Sequence, residues 1–180
     1  DSVYLSDSLI CLRNADFPKG LCFICPMFWP NRRLEKFPEI YEWVKNKLGY
    51  EEVIDLSYFQ EEDKALEGKG VTLFDFQGRC LYVGETKRAH KDVIAKVAEI
   101  MSEKSGQKWD YFLVQNWDEK YKRTHFHTSS YMMIYEKCAV VCSSILKTPE
   151  HFQELKTKLE ASGKEVFECD YDDMENGVTL

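Results

Sequence analysis

Three ionisable residues of this 180-residue chain recur at one spacing, and their side chains could together bind a cation and transfer a proton. Asp7, Glu67 and His127 are 60 residues apart in both intervals, and each falls just before a β-rich run. In a chain built from units related by rotation, such loops converge on one axis. The spacing therefore predicts a shared pocket with two carboxylates and an imidazole. Three solvated loop residues are the alternative interpretation.

The elements that position these residues recur three times in the same order. Two extended runs, a helix and a returning strand follow one another, which indicates three ββαβ units. The predicted strands are Ser8–Leu12, Leu21–Cys25, Glu52–Leu56, Val71–Phe76, Cys80–Val83, Tyr111–Val114, Tyr131–Tyr135, Ala139–Cys142 and Glu165–Cys169. We expect one α/β domain over residues 1–180, with units at roughly 1–60, 61–120 and 121–180.

Each predicted helix has its own start, apolar face and end. Pro38 opens the first helix, and Thr148 is expected to cap the third. Gly49, Gly106 and Gly163 end the three helices at intervals of 57 residues. The residues expected to share an inward face are Ile40, Trp43, Val44 and Leu48 in the first helix, Ile94, Val97, Ala98 and Met101 in the second, and Phe152, Leu155 and Leu159 in the third.

Composition narrows the choice of partners. The formal net charge is -7, with 31 acidic against 24 basic residues, so the surface repels phosphate backbones and we expect no nucleic-acid partner. No apolar run approaches the roughly 20 residues of a membrane-spanning helix, so no membrane span is expected. The acidity could favour a cationic ligand, although a solvated acidic face is the more ordinary explanation.

The seven cysteines indicate a reducing compartment. Most lie in apolar stretches, as in Leu21–Cys25, and an odd number of buried thiols fits a reduced intracellular protein better than a disulfide framework. Cytoplasm and mitochondrial matrix fit equally. Cys22 and Cys25 have C-x-x-C spacing, but no second cysteine pair or suitably spaced histidine pair completes a zinc site. We predict no cofactor and no metal.

Five segments, in order along the chain, resemble the guanidine-modifying pentein enzymes. They are similar to motifs of dimethylarginine dimethylaminohydrolases (D/E-S-V-F-V-E-D, L-E/D-G-G-D, V-G-L-S-K-R-T-N, H-L-K-S-F) and of citrulline-utilisation-type hydrolases (L-E-G-T-G-S, P-M-x-A-P-N-R-R, H-T-N). The matching segments are Asp1–Asp7, Pro26–Arg33, Leu66–Gly70, Val83–Arg88 and Phe126–Tyr131.

This resemblance implies a pentein β/α-propeller of five ββαβ units, of which the chain holds about three. In the family, a cysteine thiolate attacks the guanidinium carbon and a histidine protonates the leaving amine, then activates water. Carried over, His127 is the acid/base, Glu67 orients the substrate and the histidine, and Asp7 binds the guanidinium. Arg88 matches an arginine that contacts a substrate carboxylate; a surface cation at a helix start is the alternative.

The chain also departs from the family pattern. Gly70 stands at the acid of L-E-G-G-D, Lys69 adds a cation beside Glu67, and Ser129 replaces the acid of an H-x-D motif. None of the seven cysteines matches the nucleophile's position, which the family places in its last unit. We therefore expect the chain to be incomplete at both ends.

Three functional hypotheses follow. The first is a hydrolase of a guanidine or ureido C–N bond, with a small guanidine-containing molecule derived from arginine as its substrate. The second is an inactive relative that serves as a structural or accessory subunit and binds protein partners. The third is a divalent-metal site at Asp7, Glu67 and His127. His125, two residues before His127, is the alternative for the family histidine.

Overall fold

The computed structural model describes residues 5–35 and 37–171. The first four residues of the Asp1–Asp7 motif therefore lie outside the described residues. The described residues form five α-helices: α1 Leu5–Ser8, α2 Pro38–Asn46, α3 Gly68–Val71, α4 Lys91–Ser105 and α5 Pro149–Ala161. Short 3-10 helices cover Arg32–Leu34, Ser57–Glu62, Thr128–Ser130 and Ser143–Ile145.

In the described part of the chain, nine strands form three sheets of three strands each, in the orders β1-β2-β3, β4-β5-β6 and β7-β8-β9. The strands are β1 Leu9–Leu12, β2 Leu21–Ile24, β3 Glu52–Asp55, β4 Thr72–Asp75, β5 Cys80–Gly84, β6 Asp110–Val114, β7 Met132–Ile134, β8 Cys138–Cys142 and β9 Glu165–Cys169. No predicted strand end is wrong by more than one residue.

Every sheet has the same topology. Its first two strands are antiparallel and its second and third are parallel. A parallel neighbour requires a crossover, and α2, α4 and α5 supply it in the three repeats. The predicted ββαβ repeat is confirmed.

The chain divides into two compact units. Unit 1 comprises residues 1–69 and 87–108, and unit 2 comprises residues 70–86 and 109–180. The central repeat contributes to both, because α4 belongs to unit 1 whereas β4, β5 and β6 belong to unit 2. No helix in the described part of the chain is both long enough and apolar enough to cross a membrane.

Two of the three crossover helices, α4 and α5, bury the face that their sequence predicts. Ile94, Val97, Ala98 and Met101 of α4 are buried, as are Phe152, Leu155 and Leu159 of α5. Gly106 ends α4 with a φ of +68°, in the left-handed region that favours glycine.

The prediction for α2 is wrong at two positions. Trp43 is 53% exposed and Leu48 is 41% exposed. The helix has nine residues and ends at Asn46, so Leu48 lies beyond it. The small core of this sheet takes Val44, with Ile40 and Tyr41 partly buried against it.

The core of unit 2 gives a prediction for stability. Leu155 is fully buried in a cluster with Tyr82, Met132 and Val141. Leu155→Ala should lower the free energy of unfolding by about 2–5 kcal/mol, because it removes buried methyl groups and leaves a cavity. Lys156→Ala is the control, since the neighbouring residue lies in an exposed pair with Glu160 and should cost less than about 0.5 kcal/mol. Equal losses in urea denaturation would contradict the assignment of this core.

Candidate functional site

The three evenly spaced residues hold equivalent positions in the repeats. Asp7 lies in α1, immediately before β1. Glu67 precedes α3, which leads into β4, and His127 precedes the 3-10 helix Thr128–Ser130, which leads towards β7. Each residue therefore sits at a single helical turn before the first strand of its sheet. The spacing of 60 residues reflects the repeat.

Glu67 and Asp7 are carboxylates buried within unit 1. Glu67 is 0% exposed and Asp7 is 4% exposed. The backbone N–H of Glu67 donates to the carbonyl of Arg88 at 3.0 Å, which ties the two residues together. Arg88 also donates from Nη1 to Oε2 of Glu67 at 3.1 Å, and the N–H of Phe28 donates to Oε1 at 3.1 Å. Both oxygens of the buried carboxylate are thus satisfied.

Arg32 places a guanidinium among three carboxylates. Its Nη1 lies 3.0 Å from Oδ2 of Asp7 and 3.5 Å from Oε2 of Glu67. Its Nε and Nη2 each donate at 3.0 Å to a different oxygen of Glu35. This two-point geometry is the strong form of the arginine–carboxylate pair. Hydrogen bonds to Glu35 and Asp7 raise the pKa of Arg32 above its ordinary value.

The Pro26–Arg33 segment is held in place by its own polar contacts. The N–H of Met27 donates to Oε1 of Gln60 at 2.9 Å. Arg33 donates to the carbonyls of Met27 and Phe28 at 3.2 and 3.3 Å, and pairs with Asp63 at 2.8 Å. These contacts fold the segment back on itself, which presents the Phe28 N–H and the Arg32 side chain to Glu67.

Gly68 permits the close approach of Asp7 and Glu67 along the backbone. It has a φ of +56°, and a Cβ built there would lie 1.9 Å from the carbonyl oxygen of Ser6 and 2.7 Å from Cα of Asp7. No other residue type has room at this position. The glycine of the Leu66–Gly70 motif is therefore required by sterics as well as by its backbone conformation.

His127 belongs to unit 2, where its backbone is well anchored. Its carbonyl accepts hydrogen bonds from the N–H and Oγ of Ser130 at 3.1 and 2.7 Å. The next residue, Thr128, is fully buried; its Oγ1 donates to the carbonyl of Val71 at 2.6 Å and accepts from the N–H of Gly84 at 2.7 Å. The Nε2 of His127 is buried and has no hydrogen-bond partner among the described residues.

His125 is engaged differently. Its Nε2 lies 2.8 Å from Oδ2 of Asp118, and its N–H donates to Oδ1 of Asn116 at 2.7 Å. Burial would raise the pKa of Asp118, but hydrogen bonds from the Tyr121 N–H and from His125 outweigh it and lower that pKa. His125 therefore already serves a buried carboxylate, which favours His127 as the histidine free for chemistry.

The residues that depart from the family pattern also have definite places. Lys69 is exposed. Ser129 donates from Oγ to the carbonyl of Gly70 at 3.2 Å, so the two positions at which the resembled motifs have an acid are joined here by a neutral hydrogen bond. The sequence motifs assign no role to Arg32 or Glu35. Arg32 lies in the Pro26–Arg33 motif, but only the structure identifies its carboxylate partners.

The chain matches a family model described as "N,N dimethylarginine dimethylhydrolase, eukaryotic" over residues 6–179. No curated protein sequence matches the chain. Among solved structures, the arginine dihydrolase ArgZ from the ornithine-ammonia cycle in cyanobacteria superposes with a TM-score of 0.68 at 16% identity, covering 97% of this chain. The chain spans 23% of that full-length protein and 55% of its separately solved N-terminal domain.

A second solved relative is the dimethylarginine dimethylaminohydrolase from Pseudomonas aeruginosa, a cysteine-to-serine mutant complexed with citrulline. It superposes with a TM-score of 0.55 at 15% identity, covering 96% of this chain and 71% of that chain. These likenesses show the fold. The expected α/β pentein class is confirmed, with three ββαβ units in this chain.

The contact at Gly68 gives a matched pair of substitutions. Gly68→Ala should lower the free energy of unfolding by roughly 3 kcal/mol or more. The added Cβ would clash with backbone atoms, and alanine is also unfavourable in the left-handed conformation. Gly106→Ala has a similar φ of +68° but open space around Cβ, and should cost about 1 kcal/mol. Chemical denaturation of both variants measures the difference. Equal costs would show that the clash at Gly68 is relieved by small shifts.

Proposed function

Because the chain belongs to the eukaryotic N,N-dimethylarginine dimethylhydrolase family, we propose that it forms the guanidinium-binding part of an enzyme that hydrolyses a C–N bond of an arginine-derived compound. The observation that carries this proposal is the pair of buried carboxylates, Asp7 and Glu67, which already hold a guanidinium from Arg32. An acidic site built to accept planar N–H donors suits a substrate guanidinium.

In this mechanism His127 is the acid/base. Asp7, Glu67 and His127 hold equivalent positions in three consecutive repeats. His127 protonates the leaving amine and then takes a proton from the attacking water. Because the buried Nε2 has no hydrogen-bond partner within residues 5–35 and 37–171, the imidazole is available for both transfers. Asp7 binds the guanidinium, Glu67 orients it and the imidazole, and Arg88 holds a substrate carboxylate.

The nucleophile is a cysteine outside these 180 residues. It attacks the guanidinium carbon as a thiolate, and the covalent adduct is released by water. Burial raises the pKa of Cys25 and of Cys80 to about 12, so both remain protonated at neutral pH and suit that role poorly. None of the seven cysteines, all of which lie among the described residues, forms a disulfide, and we propose a reducing compartment, either cytoplasm or mitochondrial matrix.

An inactive relative is the second candidate. Neutral Gly70 and Ser129 occupy positions where related enzymes have acids, and Arg32 occupies the carboxylates that a substrate would need. In this case the chain is an accessory subunit whose partners are proteins. The two candidates differ in one measurement, which is turnover by a protein that contains the family cysteine.

Activity should depend on the buried acid and the histidine. With the full-length protein, amine or ammonia release from arginine and from methylated arginines should fall about 100-fold or more in Glu67→Gln and in His127→Asn. Glu85→Gln is the matched control, because Glu85 is exposed and should leave the rate unchanged. Turnover that survives both site substitutions would refute the assigned roles. A wild-type protein with the family cysteine but no turnover would establish the inactive alternative.

Guanidinium binding can be tested without catalysis. Arg32→Ala leaves three carboxylates facing an empty space and should lower the free energy of unfolding by about 3 kcal/mol. Guanidinium chloride at low millimolar concentration should then raise the melting temperature of this variant, because the ion binds only the folded state. Sodium chloride at the same concentration is the salt control.

Lys19→Ala is the protein control for this experiment. Lys19 pairs with Glu51, and their side chains are 72% and 61% exposed, so its removal leaves no buried carboxylate unpaired. The melting temperature of Lys19→Ala should not respond to guanidinium more than to sodium. Identical responses of the two variants would show that the carboxylates of Asp7 and Glu67 do not select guanidinium.

A further inference from the structure

Cys11 and Cys22 bring two thiols into contact across the first sheet. They are directly opposite in the antiparallel pair of β1 and β2, and their Sγ atoms are 3.1 Å apart. Cys11 is partly exposed, whereas Cys22 is 1% exposed. Both lie in unit 1, and neither takes part in the proposed hydrolysis.

The strand register suits a covalent link. The N–H of Cys25 donates to the carbonyl of Ser8, so Ser8 and Cys25 form a hydrogen-bonded pair. Cross-strand pairs alternate, which makes Cys11 and Cys22, three positions further along the ladder, a non-hydrogen-bonded pair. Such pairs have Cα atoms about 4.5 Å apart, within the range of disulfides. The sulfurs need to approach by about 1 Å to reach bonding distance.

The two thiols differ in acidity. A hydrogen bond from Cys22 lowers the pKa of Cys11, which is also near the positive charge of Lys69. The same hydrogen bond and burial raise the pKa of Cys22. The partly exposed sulfur is therefore the better nucleophile, and the buried one holds the proton.

We infer that Cys11 and Cys22 form an oxidisable dithiol, which a peroxide converts into an intramolecular disulfide between β1 and β2. The Cys11 thiolate attacks one oxygen of hydrogen peroxide, breaks the O–O bond and becomes a sulfenic acid as hydroxide leaves. Cys22 then attacks the Cys11 sulfur and displaces its hydroxyl. The proton of Cys22 and one from solvent convert the two hydroxides to water. Two electrons pass from the sulfurs to the peroxide.

A second cysteine pair of the same chain serves as an internal comparison. Cys142 and Cys169 are opposite each other in the parallel pair of β8 and β9. The thiol of Cys142 lies 3.4 Å from Oγ of Ser144, and burial raises its pKa. Because burial raises the pKa of Cys142 whereas a hydrogen bond lowers that of Cys11, Cys142 should react more slowly with peroxide than Cys11.

Peptide mapping of the purified protein tests the inference. After exposure to equimolar hydrogen peroxide and alkylation under denaturing, non-reducing conditions, we expect a peptide pair joined at Cys11 and Cys22, lighter by two hydrogens. Two of the chain's seven cysteines should lose their alkylation, and a reductant should restore it. Alkylation of both residues after treatment, or a link at Cys142 and Cys169 instead, would overturn the proposal.

Single substitutions separate the two sulfurs. In Cys22→Ser, the Cys11 sulfenic acid has no partner and should be trapped by dimedone, whereas Cys138→Ser, a partly buried cysteine of β8, should leave the link intact. Should Cys22→Ser fold poorly, the wild-type mapping still decides the question. A dimedone adduct at Cys22 rather than Cys11 in the wild type would contradict the order of the steps. Neither result depends on the proposed hydrolase activity.

Discussion

The carboxylate of Glu67 is fully buried, and the cost of removing a charge from water constrains much of unit 1. An isolated buried anion would be protonated or would destabilise the fold, so its oxygens must be met by donors. Here they are met by the Phe28 N–H, by Arg88 and, at longer range, by Arg32. Those three groups come from two loops far apart in sequence. The Pro26–Arg33 segment and the turn before α4 are thus both ordered around one side chain.

The same arrangement explains why short motifs in this chain are dense in glycine, proline and arginine. Gly68 lets the backbone beside Glu67 touch Asp7, and Arg33 folds the Pro26–Arg33 loop by binding its carbonyls. Arg32 can then reach three carboxylates from a single 3-10 turn. The residues that touch the acids do not act alone, since each depends on a neighbour that fixes its backbone.

Much of the fold could be predicted from the sequence, because strands and helices leave periodic signals. Alternating apolar runs gave all nine strands to within one residue, and Thr148 caps α5 as its type and position suggested, accepting the His151 N–H at 3.2 Å. Burial on α2 was harder to predict, since Trp43 and Val44 are both apolar but only Val44 is buried in the core. The repeat predicted where Asp7, Glu67 and His127 fall within their units. It gave no sign of Arg32, whose partners are set by a loop conformation that no periodicity reports.

The position of Arg32 also affects how a ligand could bind at this site. The carboxylates of Asp7 and Glu67 are already paired with a cation of the same chain, the guanidinium of Arg32. In the proposed function, a substrate guanidinium exchanges with this intramolecular competitor, which is present at high effective concentration. Its net affinity is then the difference between two similar ion pairs. A cation that matches the planar geometry less well than Arg32 gains less from the exchange, so the exchange itself favours guanidinium over simple monovalent cations.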